Sequence, residues 1–201
     1  MPRTKEQCQK IKDRRKVAIK AAGLRLFAIN GYKAVTIDDI MDEVNCAHSL
    51  FYHYYPTKEE LFRDIMHEIE NEMSKVFNGI SFDKKAILVL EELLETFLKL
   101  LSTKQNVYAI YLLLILHYRQ EAFPQARETD HKISFWDFAS KMIKRGQEEG
   151  DVPEGNIEEY TTALFSIVLG LAYKGVFDKN KSPLPNKKII MNLIFKRKET
   201  E

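Results

Sequence analysis

Little in this 201-residue chain serves covalent or metal chemistry. Its two cysteines, Cys8 and Cys46, form neither a metal-binding nor a redox spacing, which argues against a disulfide scaffold and predicts reduced thiols in a cytoplasmic protein. The five histidines include no His-Glu-x-x-His, and no Cys/His cluster has zinc spacing. The eight glycines are scattered, with no G-x-S-x-G, G-x-G-x-x-G or P-loop among them, so neither a nucleophile elbow nor a phosphate cradle is present. Acid pairs such as Glu91 with Glu95 read as solvated helix faces. The longest apolar run, Val107–Leu116, has ten residues, about half of a membrane span, and Met1–Lys20 lacks the apolar stretch of a signal sequence. These absences predict no enzyme, no metal or other cofactor and no membrane partner.

What is present is helical and, at one end, basic. With 45% hydrophobic and 30% charged residues the chain can bury a substantial core and stay soluble. The formal net charge is only +2, yet it is unevenly spread. From Met1 to Lys33 there are ten Lys/Arg against two acids, a local excess of eight positive charges. By itself such a stretch reads as a solvated helix face; ahead of a DNA-reading motif it reads as phosphate neutralisation.

That motif follows at Thr36–Leu61. Thr36 caps a helix whose Ile37, Ile40, Met41 and Val44 fall at i, i+3, i+4 and i+7, with Asp38 and Asp39 in its first turn. Asn45 tolerates the left-handed conformation a sharp turn needs. A second short helix is expected from about Ala47 to Tyr55, burying Phe51 and Tyr55 and ending at Pro56. Thr57 and Glu60 make a capping box for a third helix that buries Phe62, Ile65, Ile69, Val76 and Phe77 and runs to about Asn78. Two short helices around a tight turn are a helix-turn-helix.

Ile19, Ala21, Ala22, Phe27, Gly31, Tyr32, Thr36, Ile40, Tyr52, His53, Tyr54, Tyr55, Lys58, Glu59 and Leu61 resemble, in type and spacing, the amino-terminal domain of the TetR family of transcriptional regulators. The resemblance covers roughly residues 10–62. Asn45, Ala47 and Ser49 depart from the family's usual glycine, serine and glycine, and Ala47, a poor cap, leaves the start of the recognition helix frayed or shifted. The resemblance implies an all-α protein with a DNA-binding domain at 1–56 and a helical effector-binding and dimerisation domain at 57–201. It implies a sequence-specific regulator, a repressor released from a palindromic double-stranded DNA operator by a small molecule. Thr36, His48, Ser49, Leu50, Tyr52, His53 and Lys58 are the expected DNA contacts. Of these, Thr36, Tyr52 and Lys58 hold phosphates, Leu50 meets a thymine methyl, His48 or Ser49 meets a base edge, and His53 serves either backbone or base.

Beyond Asp83 the pattern predicts helices at about 84–101, 105–120, 128–149, 156–177 and 186–198, without strand alternation and punctuated by Gly150, Pro153, Pro183 and Pro185. Lys196, Arg197 and Lys198 read as an ordinary helix terminus. Aromatic residues crowd the middle of this region. They are either plain core or the wall of an effector pocket, for which Phe97, Tyr108, Tyr111, Leu112, Tyr118, Trp136 and Phe138 are the candidates; few fixed charges among them point to an apolar or amphipathic effector. The helix from Asn156 to Phe177 has two packing faces. Its small residues Ala163, Ser166 and Gly170, with Ile190 and Ile194 of the last helix, are expected at a homodimer interface, although a purely intramolecular core also fits. A DNA-bound adaptor of the same fold that answers to a protein partner is the competing reading, and a filled domain with no cavity favours it.

Overall fold

The computed structural model describes residues 5–102, 109–114, 135–178 and 182–195, and among them there is helix and no strand. They group into two compact units, residues 5–72 with 113–114, and the described residues from Met73 onward without those two. The first contains α1 (Lys5–Asn30), α2 (Ile37–Glu43), a 3-10 segment (His48–His53) and the first part of α3 (Lys58–Asn78). The second contains the end of α3, α4 (Ala86–Leu101), α6 (Phe135–Glu148), α7 (Ile157–Phe177) and α8 (Lys187–Ile194). Residues 109–114 form a short helical stretch, α5, within the expected 105–120. The expected segments 128–134 and 196–198 lie outside the described residues.

Helix ends follow from identifiable residues. Thr36 and Asp39 close a reciprocal capping box on α2, which the Thr36 hydroxyl alone was expected to cap. The far end of α2 is a Schellman motif: Cys46 N–H reaches the Met41 carbonyl at 2.9 Å and Asn45 N–H the Asp42 carbonyl at 3.0 Å. Asn45 sits at φ 52°, the left-handed conformation this closure requires. The same device ends α6, with Gly150 at φ 75° and bonds from Asp151 to Gly146 and Gly150 to Gln147 of 3.0 and 3.1 Å. Asn156 caps α7 and Asn186 caps α8 through their side-chain oxygens.

The amino-terminal unit packs Ile19, Phe27, Ile40, Met41, Phe51, Leu61 and Ile65, all at most 1% exposed. Phe27, Tyr32 and Phe62 meet with ring centroids 4.8–5.6 Å apart. A β-carbon at Gly23 would lie 2.8 Å from Leu61, so this glycine permits the close approach of α1 and α3. The carboxy-terminal unit packs Leu90, Leu93, Phe97, Ala139, Ile143, Leu164, Val168 and Ala172 in one apolar cluster.

One expectation about α8 is corrected. Ile190 and Ile194, expected at the dimer interface, are 1% and 8% exposed within the subunit's own core, while Ile189 and Leu193 stand 55% and 73% exposed. The apolar strip spans adjacent positions, so two faces compete for the interior, and the cluster around α4 and α7 takes the Ile190/Ile194 side.

Candidate nucleic-acid interface

The segment that follows the turn is shorter and tighter than the sequence suggests. Instead of an α-helix over 47–55, residues His48–His53 form a 3-10 helix whose N-cap, Ala47, supplies no side-chain hydrogen bond. Leu50 N–H bonds the Ala47 carbonyl at 2.9 Å and Tyr54 N–H the Phe51 carbonyl at 2.9 Å, the i to i+3 closure of this helix type. Without a capping oxygen the orphan amides at the start are left to this tighter ring. Phe51 is fully buried and anchors the segment, with Tyr52 and Tyr55 rings 5.7 and 5.9 Å away.

Around that anchor His48, Ser49, Tyr52 and His53 are exposed and Leu50 is half-buried. In a three-residue period Ser49 lines up with Tyr52, and Leu50 with His53. His48 is tethered on both ring nitrogens: Nδ1 contacts the Asp38 carboxylate of α2, and Nε2 lies 3.3 Å from the Tyr52 hydroxyl. The Asp38 contact has no counterpart in the sequence reading, where Asp38 served only the first turn of its helix.

Thr36 and Lys58, the expected phosphate holders, are both engaged within the chain. The Thr36 hydroxyl accepts from Asp39 N–H at 3.1 Å and donates to the Asp39 carboxylate at 2.6 Å. The hydroxyl and the backbone N–H of Thr36, both donating to the Asp39 carboxylate, hold it below its usual range. The Lys58 ammonium donates to the Tyr32 and Val35 carbonyls at 3.0 and 2.7 Å and stands 4.3 Å over the Tyr32 ring. It thereby clasps the α1–α2 loop to the start of α3, with a third N–H donor remaining on the ammonium.

Behind the surface lies a polar network that periodicity did not reveal. Tyr32 donates to Glu59 at 2.7 Å and Tyr55 to Asp64 at 2.8 Å. Burial, then these carboxylate partners, pushes both phenols upward. Lys20 reaches Asp64 at 3.3 Å and Glu68 at 2.8 Å. Burial opposes ionisation of Asp64, but the bonds from Tyr55 and Lys20 outweigh it and lower its pKa. Acids spaced along α3 look like a solvated face in sequence; Lys20 of α1 covers part of that face by pairing with Asp64 and Glu68.

The basic charge is also partly spent. Lys10 pairs with Glu6, Arg25 with Glu43, and Lys20 with the α3 acids. Lys12, Arg14, Arg15 and Lys33 are exposed with no ion pair among the described residues. Arg14 and Arg15 border a shallow apolar groove of about 190 Å³ lined also by Ile11, Ala18, Ile19, Val44 and Cys46.

In the carboxy-terminal unit Phe97, Leu112 and Phe138, three of the expected pocket residues, belong to the packed apolar cluster. Tyr111 is buried, and Trp136 is half-buried with its ring edge-on to Phe165 at 5.7 Å. Tyr108 and Tyr118 lie outside the described residues. Ala163, Ser166 and Gly170 are exposed along α7, in line with Tyr173 and Phe177.

A family model described as bacterial regulatory proteins of the tetR family matches residues 19–65. No curated protein sequence matches the chain. Solved structures share its fold. The ketosteroid transcriptional regulator KstR2 of Mycobacterium tuberculosis aligns with TM-score 0.68 at 15% identity, over 91% of this chain and 96% of its own. A tetR-family regulatory protein from Rhodococcus RHA1 aligns at 0.62 and 19%, over 89% and 92%. A transcriptional regulator from Saccharomonospora viridis, solved in complex with choline, aligns at 0.54 and 14%, over 90% and 94%.

Proposed function

We propose that this chain, whose residues 19–65 match the tetR family model and whose fold is shared with solved regulators of that type, is a TetR-family transcriptional regulator acting as a ligand-released repressor. In this reading residues 1–56 of two copies enter successive major grooves of a palindromic operator, and residues 57–201 dimerise and bind the effector. The observation that carries it is the row His48, Ser49, Tyr52 and His53, exposed around the buried Phe51 in the same compact unit as the exposed Lys12, Arg14 and Arg15 of α1.

Dimerisation is supported by α7. It is a 21-residue apolar helix, and only 22% of its most apolar window is buried within the subunit. Its exposed Ala163, Ser166, Gly170, Tyr173 and Phe177 follow the 3,4 spacing of a helix-packing seam. A second copy of that helix is the occupant with matching shape, joined by Ile189 and Leu193 rather than by Ile190 and Ile194.

The effector we infer to be small and apolar or amphipathic. The aromatic interior supports this, as do the ketosteroid and choline named for two proteins of like fold. Packing of Phe97, Leu112 and Phe138 into the core favours the second reading, an adaptor of the same fold that answers to a protein partner.

The test is binding of the full chain to a randomised duplex pool. Arg14→Ala should weaken all sequences alike and flatten the log Kd against log salt slope by about one unit. Ser49→Ala should change which base is selected in each half-site. Wild-type behaviour from both variants removes this interface. Titration of Trp136 fluorescence with apolar compounds separates the two readings of the larger domain: the repressor reading expects one compound that moves the signal and releases DNA.

A further inference from the structure

We infer that Asp38, His48 and Tyr52 form a proton relay on the DNA-reading surface, in which Asp38 is a positioning residue and the protonation of His48 decides whether Tyr52 can donate to a phosphate. The inference rests on the DNA-binding reading above. Its geometry is the contact of His48 Nδ1 with Asp38, the 3.3 Å approach of His48 Nε2 to the Tyr52 hydroxyl, and the 53% exposure of Tyr52.

A carboxylate accepts and cannot donate, so Asp38 fixes a proton on His48 Nδ1 in both charge states of the ring. In the neutral ring Nε2 is then an acceptor, and the Tyr52 hydroxyl donates to it. A phosphate oxygen is also an acceptor. Tyr52 has one proton, so while it faces neutral His48 it offers a phosphate only lone pairs. When the ring takes a proton from solvent at Nε2, that N–H donates to the Tyr52 oxygen. The hydroxyl hydrogen rotates outward and becomes available to DNA. One N–H bond forms at Nε2, with the proton supplied by solvent, and otherwise only hydrogen bonds rearrange.

The groups facing the ring are few. From α2, Asp38 reaches it, while its neighbour Asp39 is committed to Thr36. From its own segment Tyr52 reaches it. An acid at the second position of α2 would otherwise repel the DNA backbone; paired to the ring, it supports the form that binds.

The experiment uses the full chain and a labelled random-sequence duplex, since a phosphate clamp needs no operator, at constant ionic strength. Wild type should tighten about tenfold on going from about pH 8 to about pH 6. Asp38→Ala and His48→Gln should flatten that dependence, Tyr52→Phe should bind weakly and flatly, and His67→Ala, on α3, should keep the wild-type slope. A wild-type slope in Asp38→Ala, or its loss in His67→Ala, overturns the relay. Imidazole nitrogen spectra of the free protein give a readout independent of DNA. They should place the neutral-form proton of His48 on Nδ1 in wild type and not in Asp38→Ala; wild type protonated on Nε2 overturns the relay whatever the DNA result. A wild type that binds no duplex at any pH, with the expected spectrum, overturns the DNA reading and the clamp with it.

Discussion

The two units treat polar groups in opposite ways. In the amino-terminal unit the phenols of Tyr32 and Tyr55 and the ammonium of Lys58 are drawn against the core, each answered by a carboxylate or a pair of carbonyls. In the carboxy-terminal unit the buried cluster is apolar, with Thr161 its one buried polar side chain among the described residues, bonded to the Ile157 carbonyl and to Ser140. There the ion pairs, Lys85 with Asp151 and Lys187 with Glu95, stay at the rim. Directional bonds fix angles as well as distances, whereas apolar packing is adjustable within its volume. A surface that must present side chains in one geometry benefits from the first arrangement, and a domain that accommodates a ligand benefits from the second.

The largest expected break in that comparison is Phe97→Ala. The side chain is 2% exposed in the apolar cluster, so truncation removes transfer energy and leaves a cavity, costing about 3–5 kcal/mol. Urea unfolding followed by Trp136 fluorescence measures it. A cost under about 1 kcal/mol would mean that the cluster is loosely packed at this point.

A smaller effect is expected from the polar network. Tyr55→Phe removes the hydroxyl and leaves Asp64 with Lys20, which costs about 1 kcal/mol. Asp64→Ala leaves the Tyr55 hydroxyl part-buried and without its acceptor, which costs about 1–3 kcal/mol. A double-mutant cycle between the two positions should give a coupling of the same order as the single costs, read by thermal unfolding. Additive costs would show that the bond contributes nothing to the contrast between the units.

Much of the fold was legible because its signals are local. Thr36 through its side-chain cap, and Asn45 and Pro56 through their backbone preferences, fix the ends of short elements, and the structure places Asn45 in the left-handed region the turn requires. The burial of Phe62, Ile65 and Ile69 follows from helical period alone. What escaped depends on partners distant in sequence or on a choice between equal faces. Lys58 meets carbonyls 23 and 26 positions away, a role the family resemblance, which implied only a phosphate ligand, does not contain. His48 meets Asp38 across the turn, which no helical period pairs. On α8 adjacent isoleucines offered two faces of similar hydrophobicity, and only the packing partner decides which enters. The recognition segment kept its place but not its helix type, since Ala47 removes a cap without stating what replaces it.

The smallest effect sharpens the comparison from the acid side. Glu95 is held at about 2 by hydrogen bonds from Lys187 and Lys99, against an ordinary value of 4.5. In the amino-terminal unit Glu59 is lowered chiefly by the Tyr32 hydroxyl, and Asp64 by Tyr55 and Lys20 against the opposing effect of burial. A carboxylate whose folded pKa lies below its unfolded one supports the fold above the unfolded value, and that support drains away as pH falls through the folded value. Both units should therefore lose stability below about pH 4.5, but by different routes. Glu95 is a half-buried group at the rim, and Glu95→Gln should remove up to one proton from the uptake on unfolding between about pH 4.5 and 2, with little change at neutral pH. Because surface pairs are screened, its effect should shrink in high salt. Removal of Asp64 should flatten the acid limb in a way that persists in salt, since its partners are part-buried. Thermal unfolding against pH at low and high ionic strength distinguishes the two, and an equal salt response from both variants would erase the distinction drawn between rim pairs and the internal network.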